Sequence, residues 1–107
     1  MVIDSDSMKI KYIMQQLKRI FKDTPFLEVE RASHEGSPSG AVVVKDTGEF
    51  LDVCNKLKIL VEYSIDRKQR TMKFVASYRN RLFVHELGID SLYNKVERLV
   101  EVAESRV

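Results

Sequence analysis

The sequence predicts an α+β fold, in which an antiparallel β-sheet of four to six strands packs against N-terminal and C-terminal α-helices as a two-layer sandwich. Two observations support this prediction. Apolar and polar residues alternate through residues 56–88, as in half-buried strands, and amphipathic helical stripes occupy both ends of the chain. With 107 residues the chain is expected to form one domain, residues 1–107, that buries a core without disulfides.

The alternating region predicts three consecutive strands. Its first run places Leu57, Ile59, Val61, Tyr63 and Ile65 on one side of an extended chain. Residues 71–78 and 81–87 continue the pattern, and Met72, Phe74 and Tyr78 share the apolar phase. Short polar connectors separate the runs and favour antiparallel neighbours, so the region predicts a three-stranded meander.

The first amphipathic stripe predicts a helix that follows a disordered tail of residues 1–6. Asp6 or Ser7 is the expected N-cap, because a short oxygen-bearing side chain accepts a hydrogen bond from a free backbone N–H. The apolar positions are Ile10, Ile13, Met14, Leu17 and Phe21. Thr24 precedes Pro25, which disfavours helical backbone and ends the helix.

A second stripe predicts a C-terminal helix that Asp90 or Ser91 caps. Its apolar positions are Leu92, Val96, Leu99, Val100 and Ala103. Each apolar stripe needs a sheet face to cover it, so both terminal helices are expected on one face of the sheet.

The segment between the first helix and the meander is harder to interpret. Residues 26–32 and 41–45 predict strands, and residues 34–40, HEGSPSG, predict a loop. Residues 49–55 fit two structures. Asp46-Thr47-Gly48 favours a hairpin turn and hence a strand, which is the prediction adopted, whereas Phe50, Val53, Cys54 and Leu57 share one face of a helix.

The sequence contains no catalytic signature, so no enzymatic activity is expected. Two histidines and one cysteine show no metal-ligand spacing, and no glycine pattern indicates a phosphate loop, so neither metal nor cofactor is expected. His85 lies between Phe83 and Leu87 in a predicted strand, which favours a partly buried, hydrogen-bonded histidine. Cys54 is expected to be a small core residue.

Basic residues concentrate in the middle of the chain. Residues 56–81 contain eight basic and two acidic residues, a net charge of +6, whereas residues 82–107 have a net charge of −2. This distribution predicts a site for an anionic surface, either phospholipid or nucleic acid. The candidate residues are Arg67, Lys68, Arg70, Lys73, Arg79 and Arg81, with Lys18, Arg19 and Lys22 of the first helix. The alternative is an ordinary solvated rim.

The order of elements resembles the kinase-associated C-terminal domain that ends several Ser/Thr protein kinases. The resemblance rests on an opening helix, MKIKYIMQQLKRIF, and on a final strand that passes through a glycine into an amphipathic helix, RLFVHELGIDSLYNKVERLVEVA. It implies a non-catalytic module that binds acidic phospholipids through basic residues or folds back on a kinase domain. The loop at residues 34–40 and the extra strand at 49–55 depart from the pattern.

The leading expectation is therefore a regulatory interaction domain whose partner is an acidic phospholipid membrane or a kinase domain in cis. A protein–protein or homo-oligomerisation module is the first alternative. An RNA-binding domain is the second, and it is less favoured because the strand aromatics share the core phase. The single cysteine and the absence of a membrane-spanning apolar run predict an intracellular, cytoplasmic protein, peripheral at a membrane.

Overall fold

The structure, a computed structural model, describes residues 4–30 and 41–105 and has the predicted α+β architecture. The helices are α1 (Ser5–Ile20), α2 (Thr47–Leu57) and α3 (Ile89–Ser105). The strands are β1 (Phe26–Glu28), β2 (Val42–Val43), β3 (Val61–Asp66), β4 (Thr71–Tyr78) and β5 (Arg81–Gly88). A five-stranded sheet forms one layer and helices form the other, so the fold class predicted from the sequence is confirmed.

The sheet is mixed rather than antiparallel. Its strand order is β1-β3-β4-β5-β2, and the central strands β3, β4 and β5 form the predicted antiparallel meander. The edge strands run parallel to their neighbours, β1 to β3 and β2 to β5, so the prediction of an antiparallel sheet is wrong at both edges. Antiparallel pairing follows from short hairpin connections, and neither edge strand is joined to its neighbour by one.

Residues 49–55 form most of α2, so the prediction of a strand there is wrong. The Asp46 side chain is the N-cap and accepts a hydrogen bond from the Glu49 N–H at 3.2 Å. Asp46-Thr47-Gly48, which was predicted to be a hairpin turn, therefore forms the N-cap and the start of the first turn of α2. Burial of Phe50, Leu51 and Cys54 holds the helix on the sheet. Leu57 belongs to this helix and is 42% exposed, so its assignment to the core side of a strand is also wrong.

Several boundaries differ from the predicted ones. α1 begins at Ser5 with Asp4 as its N-cap, two residues before the expected cap, so the end of the predicted tail is helical. α1 also ends earlier, and Phe21 is its C-cap. The strands predicted at 26–32 and 41–45 shorten to β1 and β2. Residues 1–3 of the tail and the loop predicted at 34–40 lie outside the described residues.

The terminal helices lie side by side and parallel on one face of the sheet. The Tyr12 and Tyr93 rings, from α1 and α3, have centroids 5.0 Å apart. β5 continues directly into α3, and the Ile89 N–H donates to the Arg70 carbonyl at 2.9 Å. The helix therefore starts at Ile89, with Asp90 in its first turn rather than at the expected cap.

The core lies between the sheet and the helices. Each central strand contributes one side chain to its middle row, Tyr63, Phe74 and His85, which are aligned by register. From the predicted helical stripes Ile13, Leu17, Leu92 and Val96 are fully buried, whereas Leu99, Val100 and Ala103 are half-buried. A smaller apolar cluster around Val75 and Val84 occupies the opposite face of the sheet.

Candidate basic and apolar sites

The nine candidate basic residues are divided between opposite ends of the sheet. Arg67, Lys68 and Arg70 belong to the β3–β4 turn, and Arg79 and Arg81 to the β4–β5 turn. The Val61 N–H donates to the Pro25 carbonyl at 2.8 Å, and Val61 is aligned with Ala76, near the end of β4. The end of α1, with Lys18, Arg19 and Lys22, therefore lies at the β4–β5 end. Lys73 is in the middle of β4, aligned with Glu86 of β5.

At the end containing the β3–β4 turn, the arginines are paired with carboxylates. Arg70 donates to both carboxylate oxygens of Asp6, at 2.9 and 2.7 Å, and to Asp90 at 3.1 Å. Lys9 donates to the same oxygen of Asp90 at 2.7 Å. Arg67 donates to Asp4 at 3.1 Å. We call this region the paired end.

Two carboxyl groups of the paired end have lowered pKa values, because basic side chains donate hydrogen bonds to them. The hydrogen bond from Arg70 lowers the pKa of Asp6. Hydrogen bonds from Lys9 and then Arg70 lower the pKa of Asp90. Asp66 accepts hydrogen bonds from the backbone N–H groups of Lys68 and Gln69, both at 3.0 Å. An anionic ligand would have to displace these carboxylates, which argues against an anion site at the β3–β4 turn.

The opposite end of the sheet, which we call the basic end, contains exposed cations from three places in the chain. They are Lys18, Arg19 and Lys22 of α1, Lys56 and Lys58 at the end of α2, and Arg79 and Arg81 of the β4–β5 turn. Within residues 4–30 and 41–105, no ion pair joins any of these seven to a carboxylate. Lys56 and Lys58 belong to the positive segment of the sequence but are not among its candidate residues, which come from the two turns of the meander, from Lys73 between them and from the first helix.

Hydrogen bonds hold the end of α1 against the end of α2. The Asn55 side-chain oxygen accepts the Asp23 N–H at 2.9 Å and the hydroxyl of Thr24, a buried residue, at 3.1 Å. Lys22 and Lys56 directly adjoin these contacts in the chain. The basic groups of the two helices therefore belong to one continuous surface.

The basic end also exposes large apolar side chains. Leu57 and Leu60, on either side of Lys58, are 42% and 46% exposed. Leu60 lines a recess together with Asn80 and Leu82, which places the α2–β3 connection beside the β4–β5 turn. The backbone is left-handed at Lys58, with φ 56°, and at Arg79, with φ 50°, so both turns reverse tightly.

A cavity of about 260 Å³ opens between α2 and the sheet at the basic end. Apart from Glu49 and Tyr78, every residue that lines it is apolar or, at Cys54, carries a thiol. Burial raises the pKa of the Cys54 thiol to about 11, so this group is neutral and unsuited to nucleophilic chemistry. We call this cavity the α2 pocket.

The His85 side chain on β5 forms hydrogen bonds with the residue that follows β2 and with the first residue of α2. Its Nδ1 lies 2.8 Å from the Val44 carbonyl oxygen and its Nε2 2.8 Å from the Thr47 hydroxyl. Burial lowers the pKa of His85, so the ring is neutral, donates from Nδ1 and accepts the Thr47 O–H at Nε2. Its ring stacks on Phe50 and Phe74 at centroid distances of 5.9 and 6.2 Å. The predicted hydrogen bonding of His85 is confirmed, and its burial is complete rather than partial, at 1% exposure.

Other classes of site find no support in the part of the chain that the structure describes. In residues 4–30 and 41–105, no group of three His, Cys, Asp or Glu side chains is placed to hold a metal ion. No helix in the same ranges is long and apolar enough to cross a bilayer. Comparison with known proteins found no matching family model, no matching curated sequence and no matching solved structure.

Proposed function

We propose that this chain is a non-enzymatic binding module that docks on an acidic phospholipid membrane through its basic end. The observation that carries the proposal is the position of Leu57 and Leu60, exposed on either side of Lys58 and beside the turn that holds Arg79 and Arg81. Apolar side chains enter the lipid interface, while clustered cations are attracted to anionic head groups. A peripheral, intracellular location is part of the same proposal.

The candidate site differs from the one expected from sequence. Lys18, Arg19, Lys22, Arg79 and Arg81 stay in it, and Lys56 and Lys58 join it. Arg67 and Arg70 are left out because they are paired with carboxylates. Lys68, on the same turn, and Lys73, in the middle of β4, are left out because they lie away from the exposed leucines. Each lysine or arginine near an acidic membrane contributes roughly 1 kcal/mol of attraction, so the seven basic residues suffice for salt-sensitive binding.

The alternative functions have less support. An RNA-binding sheet needs exposed aromatic rings on its open face. On β3, β4 and β5 the aromatic residues all have the phase of the helix-covered face, where Tyr63 and Phe74 are buried. Docking on a kinase domain in cis and self-association stay predictions, because no contact among the described residues favours either of them.

Vesicle co-sedimentation at low salt tests the proposal. The variant Lys58→Glu/Arg81→Glu reverses two charges at the basic end. Attraction of roughly 1 kcal/mol per basic residue predicts a loss of about 30-fold or more in binding to phosphatidylserine-containing vesicles. Lys45→Glu/Lys68→Glu is the matched control, since it changes the net charge equally but lies away from the basic end. Equal binding by the two variants would show that only total charge matters and would refute the assignment.

A further inference from the structure

The α2 pocket has the dimensions of a site for a hydrocarbon chain. It follows α2 from Glu49 to Leu57, nine residues whose eight helical steps correspond to about 12 Å. Its volume of about 260 Å³ exceeds the roughly 150 Å³ at which an apolar cavity already binds benzene. The pocket therefore has room for an organic group larger than six carbon atoms.

The lining determines which part of a ligand lies inside. Val42, Val44 and Phe83 form the sheet side of the pocket, and Phe50 and Val53 form the helix side. A buried polar group without a hydrogen-bond partner is costly, and the side chains of Glu49 and Tyr78 are the polar ones in the lining. The inner part of the ligand is therefore hydrocarbon.

The two ends of the pocket differ in charge. The carboxylate of Glu49 belongs to the first turn of α2. At the other end Leu57 is followed by Lys58, and the Arg79 guanidinium carbon lies 5.2 Å from the centroid of the Tyr78 ring in the pocket wall. An anionic group is thus attracted to the Leu57 end and repelled from the Glu49 end. Val53 and Leu57, 51% and 42% exposed, give the pocket an apolar mouth.

We propose that the α2 pocket receives one acyl chain of an anionic lipid, whose head group lies against Lys58 and Arg79. This proposal rests on the proposed membrane function, because the pocket lies at the basic end, where the membrane is proposed to bind. It adds a defined ligand class, because general adsorption to a charged membrane requires no pocket. Adsorption by charge alone is sensitive to salt. A chain in the pocket would in addition slow dissociation of the protein from the membrane, since the buried hydrocarbon must leave before the protein is released.

Titration calorimetry with decanoate, kept below its micelle concentration, tests the pocket without a membrane. We expect saturable binding of one decanoate per chain. Val53→Trp fills the mouth and should weaken binding at least ten-fold, whereas Val102→Trp, at a 48% exposed position on α3, should leave it unchanged. Lys58→Gln should weaken decanoate but not decanol, because only decanoate has a charged head.

A second measurement uses the wild-type chain and needs no substitution. Val42, Val44 and Val53 line the pocket, so the NMR signals of their methyl groups report on pocket occupancy. Decanoate should shift these signals in the wild type, and should shift those of Val42 and Val44 in Val102→Trp. If Val53→Trp fails to fold by circular dichroism, Val53→Glu serves instead, because its carboxylate repels the ligand at the mouth, and Val102→Glu is then its control.

The outcomes separate the two proposals. If wild-type protein neither binds decanoate saturably nor shows shifted methyl signals of the valines that line the pocket, the acyl-chain site is wrong, and sedimentation with phosphatidylserine vesicles can still support membrane docking. If decanoate binds but acidic vesicles do not, the pocket stands and the membrane function is wrong. Equal decanoate affinity in the folded Val53 and Val102 variants would place the ligand elsewhere and overturn the assignment.

Discussion

The two ends of the sheet are similar in sequence and opposite in electrostatics. Both carry a basic β-turn, but at the paired end Arg67 and Arg70 meet carboxylates from α1 and α3 that are distant in the chain. At the basic end the cations of Arg79 and Arg81 are exposed and lie beside uncovered leucines. A run of basic residues therefore indicates where charge is placed, but tertiary contacts decide whether that charge is available to a ligand.

Removing the Phe50 ring should have the largest effect, and should act on the basic end through α2. Phe50 is 3% exposed and stacks on His85, so Phe50→Ala is expected to cost about 3–5 kcal/mol in the free energy of unfolding. Urea denaturation measures this loss. Amide exchange should accelerate in α2 more than in α1. A uniform acceleration would mean that α2 does not unfold separately from α1.

Removal of the Thr47 hydroxyl is a smaller perturbation of the surroundings of His85. Thr47→Val keeps the shape of the side chain but leaves His85 Nε2 buried without its donor, at a cost of roughly 1–3 kcal/mol. Urea denaturation and the imidazole NMR signals of His85 check this expectation. Unchanged stability together with an unchanged tautomer would contradict the hydrogen bond as assigned.

Apolar insertion at the basic end can be separated from charge attraction. Leu57→Ser/Leu60→Ser should weaken vesicle binding by roughly ten-fold or more, since each partly exposed leucine gains about 1 kcal/mol from further burial. The slope of affinity against salt should stay the same, because no cation is removed. Met8→Ser is a control, since Met8 is 59% exposed on α1 near the paired end. A double serine variant that binds like wild type would exclude leucine insertion.

The pH dependence of stability should distinguish the middle of the sheet, where His85 lies, from the paired end. The folded-state pKa of His85 lies below 6.5 because burial disfavours the charged ring, an effect that Lys95 reinforces and the Val44 carbonyl and Asp46 oppose. The unfolded chain then binds a proton that the folded chain does not, so stability is full above pH 6.5 and decreases as the pH falls through this value.

The paired end should respond in a separate, more acidic range. The folded-state pKa values of Asp6 and Asp90 lie below 3.8, so their contribution is present above pH 3.8 and is lost as the pH falls through the lowered values. Urea midpoints measured from pH 8 to pH 2 should show both ranges. Arg70→Gln should reduce only the acidic one, and its removal of the step near pH 6.5 would contradict this assignment.

The sequence was sufficient for the parts of the fold that local pattern controls. The bounds of β4 and the buried stripes around Leu17 and Leu92 follow from periodicity alone. The interpretation failed at α2, because Asp46-Thr47-Gly48 suits a hairpin as well as a helix cap. Only burial of Phe50 and Leu51 against the sheet decides between them. The prediction of antiparallel edge strands failed for a related reason, because long connections leave the direction of a strand to tertiary packing.

The candidate site was only partly predictable. Charge clustering identified the basic turns but could not distinguish them, because the carboxylates that neutralise Arg70 come from α1 and α3. The α2 pocket depends on a helix that was assigned as a strand. A helical reading of residues 49–55, with Phe50, Val53, Cys54 and Leu57 on one face, was the one signal that pointed toward it.

The left-handed backbone at Lys58 and Arg79 should make folding stability and vesicle binding respond in opposite directions to substitution. Lys58 and Arg79 hold backbone conformations that glycine adopts more easily, at a cost of about 1 kcal/mol each. Lys58→Gly and Arg79→Gly should therefore raise the urea midpoint slightly while weakening vesicle binding, and a variant that lost both would contradict this. A chain selected for stability alone would place glycine at these corners. Arg70 has the same left-handed backbone, with φ 56°, but its side chain is paired with Asp6 and Asp90, so the contacts of each cation decide what such a corner can bind.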